Sequence, residues 1–292
     1  MTKPLYSLGF VGIGLMGKPL TLRLLDAGFS VCVWNRSKDK LSEVAAAGAK
    51  VCESVAELVR VCDVTILCLS DTSAVESLVI EQIIANGSPE KLLIDLSSIH
   101  PEATRRLAGQ LQASCGMRWV DAPVSGGTVG AEQGSLAIMA GGAAADIAIA
   151  HQVLKPLYSR LTHMGAVGSG QTTKICNQMI VSCNVLVISE MMALAKAAGV
   201  DAAKIPIALA GGFADSKPLQ IVGPEMADNR FEPVKWRVKT LLKDLNMAVD
   251  LAGTQGSAVP MSGLAAQLMQ LHGSGGFLEH DPATLIKLYS QN

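Results

Sequence analysis

The sequence predicts an α/β protein of two unlike halves: a largely parallel sheet flanked by helices, then an all-α half entered through one long helix. Three observations predict it. Short apolar runs alternate with amphipathic stretches up to about residue 164, the rhythm of strand–helix–strand units. A glycine-rich turn occupies the first junction between an apolar run and a helical stretch. Beyond residue 165 the helical periodicity continues while strand patterns stop. The length of 292 residues agrees, since it corresponds to about two domains. The expected division is 1–164 and 165–292.

Apolar runs predict strands at 8–11, 31–34, 64–69, 92–96, 117–120 and 136–139. Helical patterns fall between them near 15–27, 38–47, 72–85, 101–114 and 143–158. After the loop Gly165-Ala166-Val167-Gly168-Ser169-Gly170, residues 171–198 read as one helix closed by Gly199. At 1.5 Å per residue that helix is roughly 42 Å long. It is apolar around most of its circumference, which predicts burial on several sides.

Composition excludes several classes of function. Hydrophobic residues make up 49% and charged residues 17%, enough apolar surface to offset the entropy of ordering the chain. Lys+Arg number 24 against 25 Asp+Glu, so no basic field exists for a nucleic acid. The seven cysteines are odd in number and form no C-x-x-C pair, and the five histidines are scattered. Neither a disulfide framework nor a metal site is expected. No run approaches the roughly 18 unbroken apolar residues of a membrane span; even 179–195 contains Ser182, Asn184 and Glu190. The N-terminus passes almost directly into a strand, leaving no room for a signal peptide. The expected compartment is the reducing cytoplasm.

Gly12-Ile13-Gly14-Leu15-Met16-Gly17 is G-x-G-x-x-G, directly after the first strand and before a helix. That context marks it as a dinucleotide site, with a glycine-rich structural turn as the competing reading. Gly12 allows the tight turn, Gly14 lets a pyrophosphate approach the backbone, and Gly17 lets the helix pack on the strand. At the end of the second strand, where an NAD site places a carboxylate for the ribose 2′-hydroxyl, stand Asn35, Arg36 and Ser37. A guanidinium suits a 2′-phosphate, so NADPH is expected, with NADH use open if Arg36 is an ordinary surface residue. Leu69, Ser70 and Ser98 follow two more strands, at the edge where ligands of open sheets bind. Ser98 is either a cofactor contact or a helix N-cap.

Asp121-Ala122-Pro123-Val124-Ser125-Gly126-Gly127 offers a hydroxyl and adjacent backbone N–H groups, an anion-sized concavity. Pro123 stands where a nucleophile elbow requires glycine, so Ser125 reads as a carboxylate binder rather than a nucleophile, with a purely structural turn as the competing reading. On the long helix Lys174, Asn177 and Gln178 share one face. A lysine at the rim of an apolar region has its charged form disfavoured, which suits proton transfer. The competing reading is a snorkelling surface lysine.

Four segments occur in order: the glycine-rich turn, Asp121–Gly127, Gly170-Gln171-Thr172-Thr173-Lys174-Ile175-Cys176-Asn177-Gln178, and Lys243-Asp244-Leu245. Together they resemble the four signatures of the β-hydroxyacid dehydrogenase family, which includes 3-hydroxyisobutyrate dehydrogenases and tartronate semialdehyde reductases. The resemblance covers essentially the whole chain. It implies a Rossmann domain and a helical domain, joined by the long helix. It implies Lys174 as general acid/base, and Ser125, Gly126, Gly127 and Asn177 as substrate binders. Lys243 is implied to serve substrate and cofactor, and homodimers or homotetramers are implied. Asp121–Gly127, 175–180 and Gly211-Gly212-Phe213-Ala214 are most similar to the tartronate semialdehyde reductases, whose substrate is 2-hydroxy-3-oxopropionate. Val234-Lys235-Trp236 departs from the family pattern and is one residue longer. A 3-hydroxyisobutyrate, succinic semialdehyde or glyoxylate enzyme, or a non-catalytic nucleotide-binding scaffold, stays open at this point.

Overall fold

The computed structural model describes residues 6–289. Two compact units divide the chain, Met1–Lys174 and Ile175–Asn292. The first is built on nine strands: β1 (Leu8–Val11), β2 (Val31–Trp34), β3 (Lys50–Val51), β4 (Val64–Leu67), β5 (Leu92–Asp95), β6 (Arg118–Asp121), β7 (Val124–Ser125), β8 (Leu136–Gly141) and β9 (Tyr158–Gly165). Its helices are α1 (Gly17–Asp26), α2 (Ser42–Ala46), α3 (Val55–Val61), α4 (Thr72–Leu78), α5 (Pro101–Cys115), α6 (Gly127–Gln133) and α7 (Ala144–Leu154). Helix α8 (Ser169–Ala197) runs across the division. The second unit continues with α9 (Ile205–Leu209), α10 (Lys217–Asp228), α11 (Val238–Thr254) and α12 (Pro260–His272), then a 3-10 segment at Pro282–Leu288. No strand occurs after residue 165 among the described residues.

The sheet order is β3-β2-β1-β4-β5-β6-β8-β7, with β9 paired to β8. From β3 to β6 every pairing is parallel, giving the 3-2-1-4-5-6 order of a dinucleotide-binding fold. β8 runs antiparallel to β6 and β7 and closes that edge with β9. The central strands are buried on both faces, which explains their unbroken apolar sequences. Alternate residues feed two cores. Leu8, Phe10, Val33, Ile66 and Ile94 pack with Leu20 and Leu24 of α1 and Ile147 and Val153 of α7. Val11, Leu67, Leu93 and Trp119 meet Leu58 of α3, Val75 of α4 and Leu107 and Leu111 of α5.

In the helical unit Val185, Leu186, Ile188 and Met192 of α8 pack with Leu219, Val222 and Met226, Leu241 and Leu245, and Met269 of α10, α11 and α12. Burial on several sides was expected for this helix, and the structure corrects that. Ile180, Val187 and Leu194 are 70%, 54% and 70% exposed. They recur every seven residues and therefore form one stripe. By length and composition α8 also meets the criterion for crossing a membrane, although no unbroken apolar run was visible in the sequence. Its first turn is nevertheless hydrogen-bonded into the sheet unit, and its middle lies in the helical core.

Candidate active site

The glycine-rich turn has the geometry its sequence predicts. Gly12 has φ +102°, and a Cβ there would lie 2.3 Å from the Cys68 carbonyl oxygen. A Cβ on Gly17 would lie 1.9 Å from the Gly12 carbonyl oxygen. Around Gly14, by contrast, nothing stands within 4 Å of an added Cβ, which leaves space for a pyrophosphate. Leu15 is exposed, Met16 packs on the core, and no side chain caps the amides that open α1. Those N–H groups carry the positive end of the helix dipole, so a dinucleotide fits here.

Asn35 ties the loop to the end of β2. Its Oδ1 accepts from the Ile13 N–H at 2.9 Å and its Nδ2 donates to the Ser37 carbonyl at 2.8 Å. Arg36 beside it is exposed and forms no ion pair among the described residues. After β4, the Leu69 N–H donates to Ser97 Oγ at 2.9 Å, and Ser70 Oγ donates to Asp71 at 2.7 Å. Asp71 in turn caps α4. The N-cap of α5 is His100, whose side chain accepts from the Glu102 N–H, so Ser98 is not the cap. Burial, with the Asp95 carboxylate nearby, pushes the Cys68 thiol up to about 12.

Ser125 ends β7, and Gly126 and Gly127 have φ +141° and +63°. An added Cβ on Gly126 would press on Leu136 at 2.9 Å, whereas Gly127 faces open space. The N-terminus of α6 has no side-chain cap. Asp121, at the head of the same segment, is fully buried and binds the start of α8. Its Oδ1 accepts from the Gly168 N–H at 2.7 Å and its Oδ2 from the Gln171 N–H at 2.8 Å. The structure thus brings the β6 end and the first turn of α8 to one point. Lys174 follows less than one turn later and is only 8% exposed, which removes the surface-lysine reading.

In the helical unit Asn177 Nδ2 donates to Gln178 Oε1 at 2.8 Å, and Gln178 Nε2 donates to Asp244 Oδ2 at 2.6 Å. Asp244 Oδ1 lies 3.4 Å from Lys243 Nζ. A polar chain therefore joins Asn177 to Lys243. Asp121, Gln171 and Asp244 were not predicted as site residues, although all three lie inside the quoted motifs. The 234–236 departure is anchored within its own unit: the Lys235 N–H donates to Asp281 at 3.0 Å, and its ammonium pairs with the buried Glu225. No cluster of potential metal ligands occurs among the described residues.

A dinucleotide fold with these features defines a nicotinamide-dependent oxidoreductase. Residues 7–165 match the NAD binding domain of 6-phosphogluconate dehydrogenase, and residues 168–289 match the NAD-binding domain of NADP-dependent 3-hydroxyisobutyrate dehydrogenase. The chain is 34% identical over 289 residues to the 2-hydroxy-3-oxopropionate reductase of Escherichia coli K12, covering 96% of each. It is 33% identical over 270 residues to the mitochondrial 3-hydroxyisobutyrate dehydrogenase of Drosophila melanogaster, covering 90% of this chain and 83% of that one. The Mycobacterium tuberculosis 3-hydroxyisobutyrate dehydrogenase structure with L-serine superposes with a TM-score of 0.88 at 29% identity, covering 97% and 98%. The chain belongs to the β-hydroxyacid dehydrogenase family and is an NAD(P)-dependent enzyme acting on CH–OH.

Proposed function

We propose that the protein is an NADPH-preferring reductase of a short, carboxylate-bearing semialdehyde, 2-hydroxy-3-oxopropionate, which it converts to glycerate. The observation that carries this reading is the buried Lys174, set in the first turns of α8 where Asp121 ties that helix to the segment bearing Ser125, Gly126 and Gly127. The choice of substrate is supported by the 34% identical reductase and by the motif resemblance.

The residues divide the work as follows. Gly12, Ile13, Gly14, Leu15, Met16 and Gly17 bind the pyrophosphate, Asn35, Arg36 and Ser37 the adenosine ribose and its 2′-phosphate, and Leu69, Ser70 and Ser98 the remainder of the cofactor. The bound dinucleotide supplies the hydride that reduces the aldehyde carbon. Ser125 Oγ and the N–H groups of Gly126 and Gly127 hold the substrate carboxylate, fixing the carbonyl in one orientation. Asn177 and Lys243 bind substrate oxygens, and Lys243 also serves the cofactor. The Lys174 ammonium gives its proton to the oxygen that gains charge as the C–H bond forms, so the alkoxide never accumulates. In the reverse direction the neutral amine takes the alcohol proton.

The division of labour falls at 164/165, with 1–164 binding the cofactor, helped by Lys243, and 165–292 serving substrate binding and assembly. We assign the protein to the cytoplasm, where its seven free thiols stay reduced. A second copy of the chain covers the stripe of Ile180, Val187 and Leu194, giving a homodimer or homotetramer.

The test is NADPH oxidation against a panel of 2-hydroxy-3-oxopropionate, methylmalonate semialdehyde, succinic semialdehyde and glyoxylate. The highest kcat/KM is expected for 2-hydroxy-3-oxopropionate. A tenfold preference for another member reassigns the substrate. No turnover on any of them leaves a nucleotide-binding scaffold and ends the reading.

A further inference from the structure

We infer that Asp121 and Gln171 are positioning residues that clamp the first turn of α8 to the ends of β5 and β6 and thereby aim Lys174. The inference rests on the assignment of Lys174 as the proton donor.

The start of a helix presents N–H groups without intrahelical partners and a partial positive charge. Here the Gln171 N–H, in the first turn, is met by a carboxylate from the sheet, which also takes the Gly168 N–H just before the helix. Both Asp121 oxygens accept, from Gly168 at 2.7 Å and Gln171 at 2.8 Å. Gln171 is itself fully buried, and its side-chain amide is used at both ends. Nε2 donates to the Ser97 carbonyl at 2.8 Å and Oε1 accepts from the Ile99 N–H at 3.2 Å. One residue is therefore held to β6 through its backbone and to the loop after β5 through its side chain. Lys174, three positions on, shares that side of the helix.

The clamp has no slack. A Cβ on Gly170 would lie 2.4 Å from the Met139 carbonyl oxygen and 2.8 Å from that of Asp121. One on Gly141 would lie 2.6 Å from Asp121 Oδ1. The backbones approach as closely as glycine permits, so loss of a hydrogen bond is transmitted as displacement of the helix start. A shift of about 1 Å is enough to cost roughly 100-fold in turnover.

The carboxylate must be ionised to accept both N–H groups. Burial pushes it up to about 6, while the backbone donors of Gly168, Gln171 and Gly170 pull the other way. Ionisable residues on its own strand and on the elements around it include its register neighbour Asp95 on β5, Arg118 on β6, which pairs with Asp146 of α7, Arg105 on α5 beside Gly168, His163 on β9 and Lys174 on α8. In the reducing direction Lys174 acts as its ammonium, so acid can only favour it. A fall in kcat below about pH 6 that disappears in Asp121→Asn therefore reports Asp121.

The experiment measures kcat, KM and NADPH Kd from pH 5 to 9 for wild type, Asp121→Asn, Gln171→Leu and Lys174→Ala, using the best semialdehyde of the panel. Asp121→Asn should lower kcat at pH 7.5 by about 10- to 100-fold, with KM and NADPH Kd within about threefold. Its acid limb should vanish. Gln171→Leu should lower kcat similarly while keeping the acid limb, and it carries the test alone if Asp121→Asn does not fold. Near-wild-type kcat in Gln171→Leu, or an unchanged acid limb in Asp121→Asn, overturns the clamp while a dead Lys174→Ala leaves the proton donor standing. An active Lys174→Ala removes the donor and the clamp together.

Discussion

Arg36 and Asp121 show how much a single charge does at the carboxyl ends of two strands, β2 and β6. Arg36 stands exposed at the end of β2, where no carboxylate competes for a ribose hydroxyl. A charge-assisted hydrogen bond to a phosphate is worth about 1.5–3 kcal/mol. Arg36→Asp should therefore shift the NADPH/NADH ratio of kcat/KM by roughly 10- to 150-fold toward NADH. An unchanged ratio would remove Arg36 from the cofactor site. Asp121 is a charge kept against the preference of the fold. Its carboxyl lies near 6, above the ordinary 3.8, because burial outweighs its backbone hydrogen bonds. Between those values the folded state binds a proton that the unfolded state does not. Stability is thus fully present below the ordinary value and declines as pH rises through about 6. Urea unfolding at pH 7.5 and pH 5 should show wild type gaining about 1 kcal/mol on Asp121→Asn at the lower pH. No difference between the two pH values would show that the folded carboxyl is not raised.

Helix α8 carries both proposed chemistry and proposed assembly, separated along its length. Its N-terminal turn is fixed by Asp121 and Gln171, its middle fills the helical core, and one stripe is left open. Replacing Ile180 and Leu194 together by Glu should convert the oligomer to monomer by light scattering, because two carboxylates cannot be desolvated against an apolar partner. A wild-type chain already monomeric at micromolar concentration would contradict the proposed pairing. Elements missed in the sequence include β9, β3, β7 and α6, each for its own physical reason. β9 is a mostly exposed edge strand, so its residues lack the apolar run that marks the central strands. β3 and β7 are two residues each, too short for any period. α6 contains Gly127 and Gly130 and forms where tertiary packing overrides weak helix propensity.

At the scale of the whole molecule the architecture was legible because each unit follows one period: strand and helix alternating to residue 165, helix alone beyond it. The glycine-rich turn was legible for a different reason: its positions are set locally by backbone sterics. The contacts that organise the site were not. Asp121 and Gln171 are 50 positions apart, and Gln178 and Asp244 are 66 apart. No local pattern encodes such pairings, which arise only once the sheet is assembled. Glu225 and Lys235, which hold the departing 234–236 segment, have no signature of their own either.

Proton donation by Lys174 is the central chemical assignment. The most direct measurement is the single-turnover rate of NADPH oxidation by Lys174→Ala, with NADPH binding measured separately by fluorescence. Donation by Lys174 predicts a rate about 10²- to 10⁴-fold below wild type with the cofactor Kd unchanged. A rate within a few fold of wild type would contradict it.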